Sequence, residues 1–100
     1  MIDILRSTYI ITGASSGIGR SLSYKLAKKN ANIVLASRSI DELNQIAKKI
    51  NDSGGSALSI QTDITNIDSC KDLIAETIDK FGQIDYLILN AGISMWSQLN

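Results

Sequence analysis

The chain has 100 residues, of which 44% are hydrophobic and 20% charged, the balance of one ordinary globular domain and too apolar for a disordered segment. Ten Lys and Arg offset ten Asp and Glu, so the basic excess that nucleic acid or an anionic membrane selects is missing. With no histidine and one cysteine, Cys70, His-based triads, His metal sites, internal disulfides and cysteine zinc sites are all excluded.

The start, Met1-Ile2-Asp3-Ile4-Leu5-Arg6, is too short and too acidic for a signal or transit peptide. No apolar run approaches the roughly 20 residues of a membrane span. A lone cysteine fits a reducing compartment. The expectation is a cytoplasmic protein with neither nucleic acid nor membrane as partner.

Strand and helix signals alternate along the chain. Thr8-Tyr9-Ile10-Ile11-Thr12 is a β-branched and aromatic run that stops at a glycine, as a first strand should. Ile18, Leu22 and Leu26 recur every four residues and predict a helix over residues 17–29. Ile33-Val34-Leu35-Ala36 is continuously apolar, like a strand buried on both faces. Leu43, Ile46, Ala47 and Ile50 form a second helical stripe, with Ser39 and Glu42 at capping-box spacing before it and Gly54-Gly55 after it. Ala57-Leu58-Ser59-Ile60 is a weaker third strand. Leu73, Ile74, Thr77, Ile78 and Phe81 make the third stripe, with Thr65 and Asp68 as candidate caps and Gly82 just past its end. Tyr86-Leu87-Ile88-Leu89 is a clear fourth strand.

An order β-α-β-α-β-α-β implies parallel strands joined by right-handed crossovers. With the third connection crossing over the first strand, the spatial order is 3-2-1-4. That is an α/β fold, the N-terminal part of a doubly wound parallel sheet, over residues 1–100 as one domain. Ligands in such sheets bind outside the carboxyl ends of the strands, and the residues there are informative.

After the first strand comes Thr12-Gly13-Ala14-Ser15-Ser16-Gly17-Ile18-Gly19. Gly13 permits a sharp turn, Gly17 lets backbone approach a diphosphate and Gly19 lets the helix pack close to the sheet. The helix N-terminus favours an anion, and Ser15 and Ser16 add hydroxyl donors. The strand before and helix after favour phosphate binding over a plain turn. The stretch Ala14 to Ser21 misses a P-loop at two key places, with Ala14 for the first glycine and Arg20 for the lysine. Tyr24 and Lys28 have the spacing of a catalytic Tyr-x-x-x-Lys pair, but on the first helix they point away from the strand ends, and a solvated face with a half-buried tyrosine is the better account.

After the second strand stands Ser37-Arg38, where an NAD-binding domain usually offers the ribose an acid. A hydroxyl and a guanidinium suit a 2′-phosphate, so this end points to NADP(H) rather than NAD. After the third strand, Asp63 could accept from an adenine amino group while Ile64 packs on the ring, or Asp63 could serve a turn or a helix cap. After the fourth, Asn90 can bond backbone across the switch point, and Ala91 and Gly92 leave room beside the sheet; a turn is the alternative. An acid would be wanted in place of Ser37-Arg38 for a methyltransferase-like domain, and Thr12-Gly13 replaces the acidic pair of a response-regulator receiver.

Together these sites make the chain resemble the short-chain dehydrogenase/reductase family. Thr12-Gly13-(x)3-Gly17-Ile18-Gly19, Asp63-Ile64 and Leu89-Asn90-Ala91-Gly92 match its cofactor, adenine and N-A-G motifs in order and spacing, from about Thr8 to Trp96. The resemblance implies a Rossmann fold and an NADP-dependent oxidoreductase acting on a small carbonyl or alcohol substrate, a homo-oligomer when full length. It implies that Ser15, Ser16 and Ile18 line the diphosphate, that Arg38 holds the 2′-phosphate, that Asp63 and Ile64 contact adenine, and that Asn90 and Ala91 lie beside the nicotinamide ribose. The wording around Ser37-Arg38-Ser39 and Gly92-Ile93-Ser94-Met95-Trp96 is similar to hydroxysteroid-dehydrogenase-related members. The family's catalytic Ser and Tyr-x-x-x-Lys lie past the N-A-G motif, beyond Asn100, so no catalytic residue is assigned and these 100 residues alone are expected to show no turnover. The second hypothesis is a non-catalytic NADP-binding module or redox sensor.

Overall fold

The computed structural model describes residues 7–90 of the chain. Ala91 and Gly92 of the expected cofactor site lie outside the described residues. Seven elements alternate: β1 (Thr8–Thr12), α1 (Gly17–Lys28), β2 (Asn32–Ser37), α2 (Ile40–Asp52), β3 (Ser56–Gln61), α3 (Ile67–Phe81) and β4 (Tyr86–Ile88). The strands form one parallel sheet in the expected order β3-β2-β1-β4. In register, β1 runs from Thr8 opposite Asn32 to Thr12 opposite Ala36, and from Tyr9 opposite Tyr86 to Ile11 opposite Ile88. The carboxyl ends of the strands therefore open on one edge of the sheet.

The two-residue period of the strands sorts their side chains into two layers. Tyr9, Ile11, Ile33 and Leu35 pack with Leu43, Ile46, Ala47 and Ile50 of α2 and with Ala27 of α1. Ile10, Val34, Ala36 and Ile60 point the other way, onto Leu73 of α3. The central runs of β1 and β2 are thus buried on both faces, which is why they lack polar alternation. At the start of the sheet Thr8 N donates to Asp85 Oδ2 (2.7 Å), Asp85 N donates to Thr8 O (3.0 Å), and the Tyr9 and Tyr86 rings stack 4.6 Å apart. These contacts set where β4 meets β1.

The helices differ from expectation in their contact lines and caps. The buried face of α1 is Gly19, Ser23 and Ala27, one residue round from the Ile18-Leu22-Leu26 stripe, and Ile18 is 63% exposed. Small side chains let the helix lie close to the sheet while Leu22 and Leu26 flank the contact, and the buried Ser23 hydroxyl is satisfied by Gly19 O at 2.7 Å. In α2 the expected stripe is the buried one. Ser39 is its N-cap residue, but the side chain makes no capping bond, so the Ser39–Glu42 capping box is not formed; Ser39 N instead donates to Ser37 Oγ (3.1 Å). The cap of α3 is Asn66, accepting from Ser69 N (3.0 Å), rather than Thr65 or Asp68, because the helix begins at Ile67 and Asn66 is the residue directly before it. Gly82, with φ 77°, closes α3 in the left-handed conformation. Only Leu73 and Thr77 of the α3 stripe are buried. β4 stops at Ile88, one residue short of expectation.

Candidate functional site

The end of β1 is stitched to the segment after β4. The Thr12 hydroxyl donates to Ile88 O (3.3 Å) and accepts from Asn90 N (2.9 Å), and the Asn90 side-chain amide donates to Gly13 O and Ser16 Oγ, both at 3.2 Å. Ser16 N and Ser16 Oγ also donate to Gly13 O, at 3.2 and 2.9 Å. Gly13 turns here with φ 61°, and a Cβ on it would stand 2.3 Å from Asn90 O. One on Gly19 would stand 2.6 Å from Gly13 O. Gly19 therefore admits the turn and Asn90, not only the sheet. A Cβ on Gly17 would meet nothing within 4 Å, so nothing in the described residues requires a glycine there.

The N-terminus of α1 is electrically open. Ser16 has extended backbone, but its hydroxyl is spent on Gly13 O and makes no capping bond, and the first turn carries no acidic residue. By contrast α2 has Asp41 and Glu42 in its first turn and α3 has Asp68. The first amides of α1 thus keep their positive end without a counter-charge. Ser15, Ser16 and Ile18 surround it, with Ser15 half-buried and the other two exposed. A built turn and an uncapped helix end suit a diphosphate, which would take the amide N–H groups at Gly17 to Gly19.

The ends of β2 and β3 form the second part. Thr62 N donates to Ser37 O (2.7 Å) and Gln61 Nε2 to Arg38 O (3.1 Å), which ties the two strand ends together. Arg38 Nη2 lies 3.2 Å from Asp63 Oδ1. That same oxygen accepts from Thr65 N (3.0 Å) and Thr65 Oγ1 (2.6 Å), and Asp63 N donates to Ser69 Oγ (2.9 Å). The Thr65 hydroxyl, then its backbone N–H, then the Arg38 charge hold the Asp63 carboxyl below the usual carboxylate range. Its ionised arrangement therefore persists at neutral pH and is lost only as pH falls through that lowered value. Ile64 is 48% exposed beside it.

So Gly13, Ser15, Ser16, Gly17, Ile18, Gly19 and Asn90 gather around one turn, and Ser37, Arg38, Asp63 and Ile64 around the neighbouring strand ends. Thr12, read only within the glycine motif, and Thr65, read only as a helix cap, also contribute to the site. The signals were a hydroxyl directly before the glycine turn and a hydroxyl two residues after an aspartate, the spacing of an Asx turn. Tyr24 and Lys28 line a cavity of about 300 Å³ with Lys49, Ile50 and Gly55 between α1 and α2, and Tyr24 also borders a cavity shared with Ser15. Among the described residues no group of His, Cys, Asp and Glu could hold a metal, and no helix is long and apolar enough to cross a membrane.

Comparison with known proteins agrees with the family that the sequence motifs resemble. The sequence is 38% identical over 98 residues to 11-beta-hydroxysteroid dehydrogenase A of Sesamum indicum, covering 97% of this chain and 28% of that protein. A short-chain dehydrogenase/reductase from Burkholderia phymatum, solved in complex with NAD, superposes with a TM-score of 0.83 at 26% identity, over 87% of this chain and 31% of that one. An alcohol dehydrogenase from Thermococcus sibiricus, complexed with 5-hydroxy-NADP, gives a TM-score of 0.78 at 28% identity, over 82% of this chain and 35% of that one. The chain thus spans about a third of the length of these relatives. The model of the short chain dehydrogenase family matches residues 7–100, and the chain belongs to that family.

Proposed function

We propose that this chain is the NADP(H)-binding portion of an oxidoreductase that interconverts a small carbonyl compound and its alcohol, with a hydroxysteroid-like substrate class. The observation that carries the cofactor choice is Arg38, a guanidinium at the carboxyl end of β2 where a ribose-binding acid would otherwise stand. The diphosphate would lie on the α1 amides beside Ser15 and Ser16, and the 2′-phosphate would take Arg38 and Ser37 Oγ. Asp63 and Ile64 would border the adenine. Asn90 would hold the Gly13 turn in shape while its neighbours flank the nicotinamide ribose. When bound, the dinucleotide supplies or accepts a hydride; the residues of this chain bind and orient it. The substrate class rests on the 38% identity to the sesame hydroxysteroid dehydrogenase.

The test compares NADPH and NADH affinities of the intact protein before and after Arg38→Ala. Loss of a charge-assisted contact should weaken NADPH roughly 10- to 100-fold and leave NADH nearly unchanged. Equal affinities in both proteins would remove NADP(H) from the proposal and leave a dinucleotide site without phosphate selection.

A further inference from the structure

We propose that Asp63 is a built-in counter-ion to Arg38 that lowers the selectivity of this site for a 2′-phosphorylated dinucleotide over its unphosphorylated form. The inference rests on Arg38 being the 2′-phosphate ligand. Its own support is the arrangement of the acid. Asp63 Oδ1 is fixed by two bonds from Thr65 regardless of Arg38, and its backbone is fixed by Ser69 Oγ. The loop carrying Arg38 is in turn fixed to β3 through Thr62 N and Gln61 Nε2. A carboxylate held in place from its own side thus meets the guanidinium at 3.2 Å.

An arriving 2′-phosphate with a charge of about −1.5 to −2 must share the guanidinium with this carboxylate and tolerate its repulsion. The 2′-hydroxyl of NADH is neutral and meets neither penalty. Any contact of Asp63 with adenine is common to both dinucleotides and cancels in the ratio of their affinities. Because the two side chains are 72% and 43% exposed, water screens the pair and the effect is modest.

The experiment is equilibrium titration of the intact protein with NADPH and NADH, in the parent, Asp63→Asn, Arg38→Ala and the double variant. Asparagine keeps an oxygen to accept from Thr65 and removes the charge, with an amide N–H group in place of the second oxygen. Asp63→Asn should raise the NADPH-to-NADH affinity ratio about two- to fivefold, with the gain shrinking at high salt. In the Arg38→Ala background the same substitution should raise the ratio by clearly less, because only the direct repulsion between carboxylate and phosphate is left to relieve. An unchanged or lowered ratio in Asp63→Asn, with NADPH preference still abolished by Arg38→Ala, overturns the counter-ion role and leaves the cofactor proposal standing. An equal gain in the Arg38→Ala background also overturns it, since Asp63 would then act on the phosphate without Arg38. A parent that binds both dinucleotides equally and ignores Arg38→Ala overturns both.

Discussion

At Gly13 and Gly17 the same substitution has opposite physical consequences. Gly13 has a φ of 61° and its missing Cβ would lie 2.3 Å from the backbone oxygen of Asn90, which the Thr12 hydroxyl holds in place through Asn90 N. Gly13→Ala therefore forces both a left-handed alanine and a backbone shift, and should cost at least about 1–3 kcal/mol of stability. Gly17 has no neighbour within 4 Å of a Cβ and opens a helix, so Gly17→Ala should leave the unfolding midpoint near the parent's. If the space above it is where the diphosphate approaches, that variant should lose dinucleotide affinity while remaining folded. Denaturant unfolding beside dinucleotide titration separates the two effects. A Gly17→Ala protein that binds like the parent would place the diphosphate elsewhere.

Among the elements, the strands were legible from residue type and the helix ends were not. β1 and β2 announce themselves because burial on both faces demands unbroken apolar runs, whereas a cap depends on which of several adjacent polar side chains reaches a backbone N–H. Before α3 the sequence offers Thr65, Asn66 and Asp68; Asn66 takes the cap because the helix begins at Ile67, directly after it. The contact line of α1 was missed for a related reason, since the side chains that let a helix approach closely are small and carry no hydrophobic signal. Asn66→Ala should accordingly cost about 1 kcal/mol, the usual loss for a bonded cap. Ser39→Ala should cost clearly less, because the Ser39 side chain makes no capping bond. Paired denaturant midpoints check this, and equal losses would contradict the assigned caps.

At the scale of the whole molecule, the strand order 3-2-1-4 was legible because handedness and connection length leave few alternatives, and the site followed from it: the glycine turn, Arg38, Asp63 and Asn90 all stand just after strands. The apolar run Leu87-Ile88-Leu89 already marks a strand that is a hazard when left at an edge, and the structure adds how abruptly the covering ends. Leu87 lies beside Ile10 in register, on the same sheet face, yet Ile10 is fully buried and Leu87 is 51% exposed. Ile74 and Ile78 on α3 are 41% and 44% exposed, and Leu89 past β4 is 67% exposed. Among the described residues β4 has a strand on one side only. An apolar surface beside an unpaired strand edge favours association of copies through that edge. The 100-residue polypeptide made by itself should therefore show a mean mass that rises with concentration in sedimentation velocity. Leu87→Lys places a charge on the exposed face and should shift the distribution toward monomer, without disturbing the buried runs of β1 and β2. A parent chain that stays monomeric across the concentration range and melts in one sharp transition would show that this face needs no cover.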